Sequence, residues 1–160
     1  MFTLLARLRS DEHGTALIEG AIVLPVLMLL AYGVFEFSNA FYAHHLMTTG
    51  IRDAARYLAR TADPAAAASQ ARNLATTGTI DGSGRRRVSW WAPSDVAVAV
   101  QTIANPVDPA TGERPYRGGN QISIVTVSTS PSYPGLGTLG FLGLSSFAVR
   151  ASHRERVIGD

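Results

Sequence analysis

The stretch that decides the fold is Gly14 to Tyr42, GTALIEGAIVLPVLMLLAYGVFEFSNAFY. Between Glu19 and Glu36 it holds sixteen residues with no charge and almost no polar atom. The hydrocarbon core of a bilayer is about 30 Å thick and needs roughly 20 residues of helix. The 22 positions from Ala16 to Phe37 supply this length if the two end carboxylates are interfacial. The sequence therefore predicts one membrane-spanning helix.

One carboxylate lies inside this apolar run. Glu19 is the fifth residue after Gly14, and the leader before that glycine is short, polar and basic, with Arg7 and Arg9 followed by Ser10–His13. A lone ionised carboxylate in apolar surroundings is costly and commonly marks a function or a partner. The alternative is that Glu19 only reaches the headgroup layer.

This arrangement resembles the processing site of type IV prepilins, where a membrane-embedded aspartic peptidase cuts after the glycine on the cytoplasmic side. The segment 17–42, followed by TTGIRDAARYLAR at 48–60, resembles the TadE-like family, the minor pseudopilins of the tight-adherence (Flp) pilus. Gly20 follows Glu19 where major Flp pilins carry an aromatic residue, which favours the minor branch. The residues that carry the resemblance are Glu19, Leu24-Pro25, Gly33, Glu36-Phe37 and Arg52 to Ala59.

The resemblance implies a processing site at Gly14 and Thr15 and assembly residues at Glu19, Pro25 and Glu36. It implies a function in pilus assembly and surface adherence. The implied partners are a prepilin peptidase, other pilin and pseudopilin subunits, the pilus assembly platform and membrane lipid. We expect Glu19 to pair with the new α-amino group of a neighbouring subunit, because an unpaired buried carboxylate is unfavourable.

The flanking charges predict the orientation. Arg7 and Arg9 precede the helix closely, and the nearest basic residue on the other side is Arg52. The positive-inside rule then favours a cytoplasmic amino terminus. We expect a leader at 1–14, a transmembrane helix at 15–43, an amphipathic helical region at 44–77 and an extracytoplasmic β-rich domain at 78–160. The expected location is a bacterial inner membrane, with the last domain in the periplasm or in an extracellular pilus.

Two alternatives compete with this interpretation. A secretory signal peptide also has a basic region and an apolar region, and Ser38-Asn39-Ala40 fits a cleavage site that would leave Phe41 first. The other alternative is an uncleaved single-pass envelope protein whose outer domain binds a partner or a polysaccharide. It would keep residues 1–14.

Composition narrows the remaining function classes. The 160 residues allow one soluble domain beside the membrane helix. The net charge of +2 does not favour a nucleic-acid binder, and the run Arg85–Arg87 before Trp90-Trp91 is better explained as a loop flanking a strand. His44-His45 has no carboxylate at helical spacing to complete a metal site. With no cysteine, no phosphate loop and no nucleophile motif, we predict no enzyme activity, cofactor or metal.

The fold class that follows is α+β, with a long amino-terminal helix packed on a small antiparallel sheet of three or four strands. Helical spacing of apolar residues continues through 47–58, which predicts one helix over 15–60 with kinks at Pro25 and Gly33. Asp63-Pro64 predicts a second helix over 64–76 that Gly78 ends. The predicted strands are 88–91, 96–104, 121–129 and 147–153. The apolar loop 131–143 is either a contact surface or a cover for the sheet edge.

Overall fold

The computed structural model describes residues 12–137, 140, 143 and 146–158. The predicted leader lies outside this part of the chain, apart from its last three residues. The described elements are α1 (Glu12–Leu58), α2 (Ala68–Thr77), a short 3-10 turn at Pro93–Asp95, β1 (Val96–Ala104), β2 (Gln121–Thr129) and β3 (Ala151–Arg156). The chain divides into two compact units between Ser38 and Asn39. The predicted α+β class is confirmed.

Helix α1 carries the apolar run of the first unit. It begins at Glu12, ends at Leu58 and includes Pro25 without interruption. Its side chains from Thr15 to Tyr32 are all exposed to the surroundings of the chain. The helix is long and apolar enough to cross a bilayer, with none of its most apolar 18-residue window buried. The predicted spanning segment is therefore helical, and no other described residue of this unit buries its apolar surface.

The second unit is built around the last five turns of α1. The predicted apolar face of this segment is buried, with Met47, Ile51 and Leu58 almost fully inaccessible. Residues from α2, from the sheet and from the segments around it complete one core, including Ala71, Trp91, Val125, Val127, Tyr133, Val149 and Val157. The backbone N–H of Ile158 donates to the carbonyl of Ala59, 2.8 Å away, which fixes the carboxy-terminal segment to the end of α1.

Helix α2 begins four residues later than the sequence predicts. Asp63 does act as a cap, because its Oδ1 accepts the N–H groups of Ala65 and Ala66, each at 3.0 Å. The turn that follows is irregular. The N–H of Ala67 donates to the carbonyl of Asp63, four residues back, whereas the N–H of Ala68 donates to that of Ala65, three residues back. Regular α-helix therefore starts only at Ala68. It ends as predicted at Gly78, which has a φ of 81°, in the left-handed region that favours glycine.

Replacing Asp63 by alanine is expected to lower the free energy of unfolding by about 0.5–2 kcal/mol, because two N–H groups lose their acceptor. Thermal unfolding followed by circular dichroism measures this loss. Asp108 is a matched control, since its Oδ1 accepts the N–H of Ala110 at 2.8 Å in a loop outside any helix. Asp108→Ala should cost less, and an equal loss in both variants would contradict the capping role.

The sheet has the strand order β1-β2-β3 and is antiparallel throughout. Val98 lies opposite Val127, and Val127 lies opposite His153. Val125 and Val127 are buried in the core, while Ala97 and Ser152 on the other face are exposed. The β-branched composition that predicted β1 and β2 thus supplies the side chains with which the sheet packs on the core.

Two strand predictions are corrected by the structure. Residues 88–91 form a turn, in which Trp91 N–H donates to Val88 O at 3.1 Å. The turn carries Trp91 into the core, where its Nε1 donates to Thr129 Oγ1 at 2.9 Å. The predicted strand 147–153 begins only at Ala151, because the preceding residues pair instead with 131–133, through a bridge between Ser132 and Ala148.

The loop 131–143 is therefore structured at its beginning. Tyr133 N–H donates to Phe147 O at 2.8 Å, and Val149 N–H donates to Pro131 O at 3.0 Å. Tyr133 is buried, whereas Leu136 is exposed. Most of 138–145 lies outside the described residues. One end of the loop thus folds into the core and the next residues stay accessible, and both interpretations of the loop stay predictions.

Candidate functional site

The predicted processing site lies at the start of α1. Gly14 is partly accessible and Thr15 is exposed. The bond between them is in the first described turn of the helix, which begins at Glu12. A Cβ added at Gly14 meets no described atom within 4 Å. The glycine is therefore not required by the packing of the described chain itself.

Glu19 is exposed on the same helix, one turn beyond Thr15. Residues four apart lie on the same helix face, and helical side chains lean toward the amino terminus. The carboxylate of Glu19 therefore points back toward the turn that carries Thr15. Cleavage after Gly14 would place a new α-amino group at this turn, on the same face as the only carboxylate between Thr15 and Phe35.

Pro25 and Gly33 lie within the continuous part of α1. Proline has no N–H, so the carbonyl four residues before it lacks its usual helical donor. A Cβ added at Gly33 or at Gly20 meets none of the described atoms within 4 Å. Both glycines therefore leave room on the helix surface for a side chain of another molecule. The predicted kinks stay a prediction.

Glu36 differs from Glu19 in its surroundings. Only 2% of it is exposed, and it is not without a partner. A carboxylate this inaccessible can reach a neighbouring subunit only if the fold opens locally. Glu36 lies almost five helical turns beyond Glu19 on α1, and each turn advances the helix by about 5.4 Å. The two carboxylates therefore do not form one site, and the assembly role of Glu36 stays a prediction.

The residues that the sequence offered for metal binding or nucleic-acid binding do not form such a site among the described residues. His44 and His45 are exposed, and in the described ranges no group of three or more His, Cys, Asp or Glu residues could hold a metal ion. His153 Nε2 and Glu155 Oε1 lie 2.9 Å apart, so this contact, which their spacing on a strand allows, is present. Trp91 is fully buried and is therefore not accessible for stacking on a base.

The basic run 85–87 divides into two parts. Arg87 donates to Asp53 Oδ2 at 2.8 Å, and Asp53 Oδ1 also accepts from Arg56 at 3.1 Å. Arg85 and Arg86 are exposed. The sequence did not indicate that Asp53 binds Arg87, because the two are distant in the chain and this pair forms only when the loop packs against α1.

The architecture and the apolar helix define the class of protein. It is an α+β protein with one candidate membrane-spanning helix near its amino terminus among the described residues, which is consistent with a single-pass membrane protein. The predicted processing and assembly residues all lie on that helix.

Comparison with known families identifies this segment further. Residues 14–56 match the family model described as TadE-like protein. The chain thus carries a TadE-like segment, as the resemblance in the sequence predicted, and the family implies association with pilus components in general. No curated protein and no solved structure matches the chain.

Proposed function

We propose that the chain is a minor pseudopilin of a Tad/Flp-type (type IVc) pilus, cleaved after Gly14 by a prepilin peptidase. The observation that carries this proposal is the position of Glu19, five residues beyond Gly14 on an exposed apolar helix. The TadE-like match over 14–56 includes both residues and supports the same conclusion. The mature protein contributes to pilus assembly and to surface adherence.

The chemistry of assembly follows from the surroundings of Glu19. When apolar helices of several subunits pack together, an ionised carboxylate among them is unfavourable unless a cation pairs with it. The α-amino group that cleavage creates is such a cation. Pairing between Glu19 of one subunit and the amino terminus of a neighbour fixes how far one helix slides along the other. In each subunit Glu19 and the new amino terminus lie on one helix face, so pairing between neighbours also fixes helix rotation.

Anchoring and orientation complete the proposal. The helix 15–43 holds the protein in a bacterial inner membrane until the assembly platform draws it into a pilus. Arg7 and Arg9 favour a cytoplasmic leader, which gives the peptidase access to Gly14 from that side. The second unit is then periplasmic, or extracellular in the pilus.

Gly14→Ala tests the cleavage step. We expect processing to slow by about tenfold or more, since a loss of ~1.4 kcal/mol of transition-state stabilisation at a crowded peptidase site has this effect. Immunoblots of cells that express the peptidase show the ratio of long to short forms. Gly20→Ala is the matched control, because a Cβ there also meets no described atom within 4 Å. Normal processing of Gly14→Ala would contradict cleavage at this site.

A further inference from the structure

An open groove of about 450 Å³, lined by both apolar and polar residues, lies in the second unit. Side chains of α1 form one wall, and the loops 87–90 and 133–136 form the other. Its lining includes Tyr42, Leu46, Trp90, Pro134 and Leu136. None of the proposed processing or assembly residues belongs to it.

The floor of the groove is held in place by contacts inside the fold. Tyr133 accepts a hydrogen bond from Asn39 Nδ2 at 2.9 Å. Its ring packs edge-on against Trp90, with centroids 5.8 Å apart, and against Phe147 at 5.2 Å. The groove is therefore preformed and does not require a ligand to order it.

The rim of the groove is apolar and accessible. Tyr42 is 63% exposed and Leu136 is 62% exposed. Accessible apolar groups beside an aromatic groove mark a contact surface more often than single scattered residues do. Covering this rim would remove apolar surface from water.

The position of Tyr42 in the chain indicates which surroundings the rim meets. It follows Phe37, the end of the apolar run, by little more than one turn of the same helix, which is an advance of about 8 Å. The polar layer on each side of a bilayer is about 5–8 Å thick. Along the helix, Tyr42 is thus within one headgroup layer of the end of the apolar run, at a depth where Tyr and Trp are favoured.

Two arginines precede the groove-lining residues 87–90 in the same loop. Arg85 and Arg86 are exposed, and Nη1 of Arg86 donates to Ser89 O at 3.3 Å, which holds it beside the wall that Trp90 forms. Asp81 of the same loop is charged at neutral pH, like any accessible aspartate, and hydrogen bonds from Ser83 lower the pKa of its carboxyl group further. It offsets one arginine and leaves the loop with a net positive charge.

We propose that this groove and the two arginines dock the second unit on the bilayer surface. The apolar rim enters the headgroup layer, and the guanidinium groups of Arg85 and Arg86 bind the phosphates of anionic phospholipids. This inference rests on the membrane-spanning part of the proposed function and is independent of cleavage and of filament assembly. A helix of another subunit is the competing occupant.

Fluorescence quenching of the full-length protein in vesicles tests the docking. Trp91→Phe leaves Trp90 as the reporter, and lipids brominated near the headgroup end of the acyl chain quench a ring at that depth. We expect strong quenching of Trp90 in vesicles that contain phosphatidylglycerol and weaker quenching in purely zwitterionic ones. Trp90→Phe serves as the control, because it leaves as reporter Trp91, which is fully buried. In Trp90→Phe, the remaining emission should stay unquenched.

Charge variants test the role of the arginines. The double change Arg85→Gln and Arg86→Gln is expected to weaken docking by about 30-fold, since each basic residue near an anionic surface contributes about fivefold. The matched control is Arg52→Gln with Arg60→Gln, which removes two exposed charges farther along α1 and just beyond its end. Leu136→Asp should also reduce quenching.

The possible results of the vesicle experiment distinguish failure of the docking proposal from failure of the membrane-spanning helix. Protein that floats with vesicles but shows no quenching of Trp90 would overturn the docking proposal and leave the membrane span intact. Quenching of Trp90 that is lost when other pilin subunits are added would assign the groove to a subunit helix instead. Protein that fails to float would overturn the membrane span and the docking together.

Discussion

Replacing Glu19 by glutamine is expected to leave cleavage after Gly14 intact and to remove most of the protein from assembled pili. Glutamine keeps the size of the side chain and loses its charge. Breaking one partner of a buried ion pair costs about 3–5 kcal/mol, which is more than a hundredfold in an association constant. Immunoblots of sheared pili and of the membrane fraction from the same cells measure the distribution.

The neutral variant also separates assembly from anchoring. Glutamine in an apolar helix is less costly than an ionised carboxylate, so membrane insertion of Glu19→Gln should not suffer. Tyr32→Phe is a suitable control, because it removes another exposed polar group from the same helix and should assemble normally. Pili that contain Glu19→Gln at the normal level would contradict the pairing role.

Replacing Gly50 by alanine is expected to destabilise the second unit strongly. Gly50 is buried in α1 where this helix passes close to α2. A Cβ there would collide with the carbonyl oxygen of Ala75 and would lie 3.0 Å from its carbonyl carbon and 3.1 Å from Cη2 of Trp91. The first two are backbone atoms, so relief requires α2 to move away.

Overpacking of this kind typically costs about 1–3 kcal/mol and occasionally more, whereas the gain from better helix propensity is at most about 1 kcal/mol. We expect a net loss near the upper end of that range and a fall of about 10 °C or more in the melting temperature. Tryptophan fluorescence during thermal unfolding in detergent measures it.

Gly33→Ala is the matched control for Gly50→Ala. Both glycines lie in α1, but a Cβ at Gly33 meets nothing within 4 Å among the described residues. Its melting temperature should be unchanged or slightly higher. Equal melting temperatures for the two variants would contradict the close approach of the two helices at Gly50.

Local sequence patterns were sufficient for the long elements. The apolar run and the spacing of Met47, Ile51 and Leu58 predicted α1 to within three residues at each end. Strands β1 and β2 have the predicted bounds, 96–104 and 121–129. In each case a strong periodicity is bounded by residues that stop it, so the local preference and the tertiary structure agree.

Tertiary contacts determine the structure of the segments that the sequence predicted wrongly or did not indicate. Val88–Trp91 has the composition of a strand, yet burial of Trp91 and its bond to Thr129 favour a turn. Bonding of 147–149 to 131–133 depends on residues more than ten positions away. The groove beside Tyr42 and the close approach at Gly50 likewise join distant segments, and no local pattern indicates them. The candidate processing and assembly residues all lie on one helix, and their roles stay predictions.

The amino-terminal sequence of the protein recovered from native membranes tests the account most directly. Cleavage by a prepilin peptidase predicts Thr15 as the first residue, with Glu19 four residues after the new α-amino group. Recovery of the chain with residues 1–14 still attached would contradict the account and favour an uncleaved envelope protein. Phe41 as the first residue would contradict it as well, since a secretory signal peptide would then have been removed together with the membrane helix.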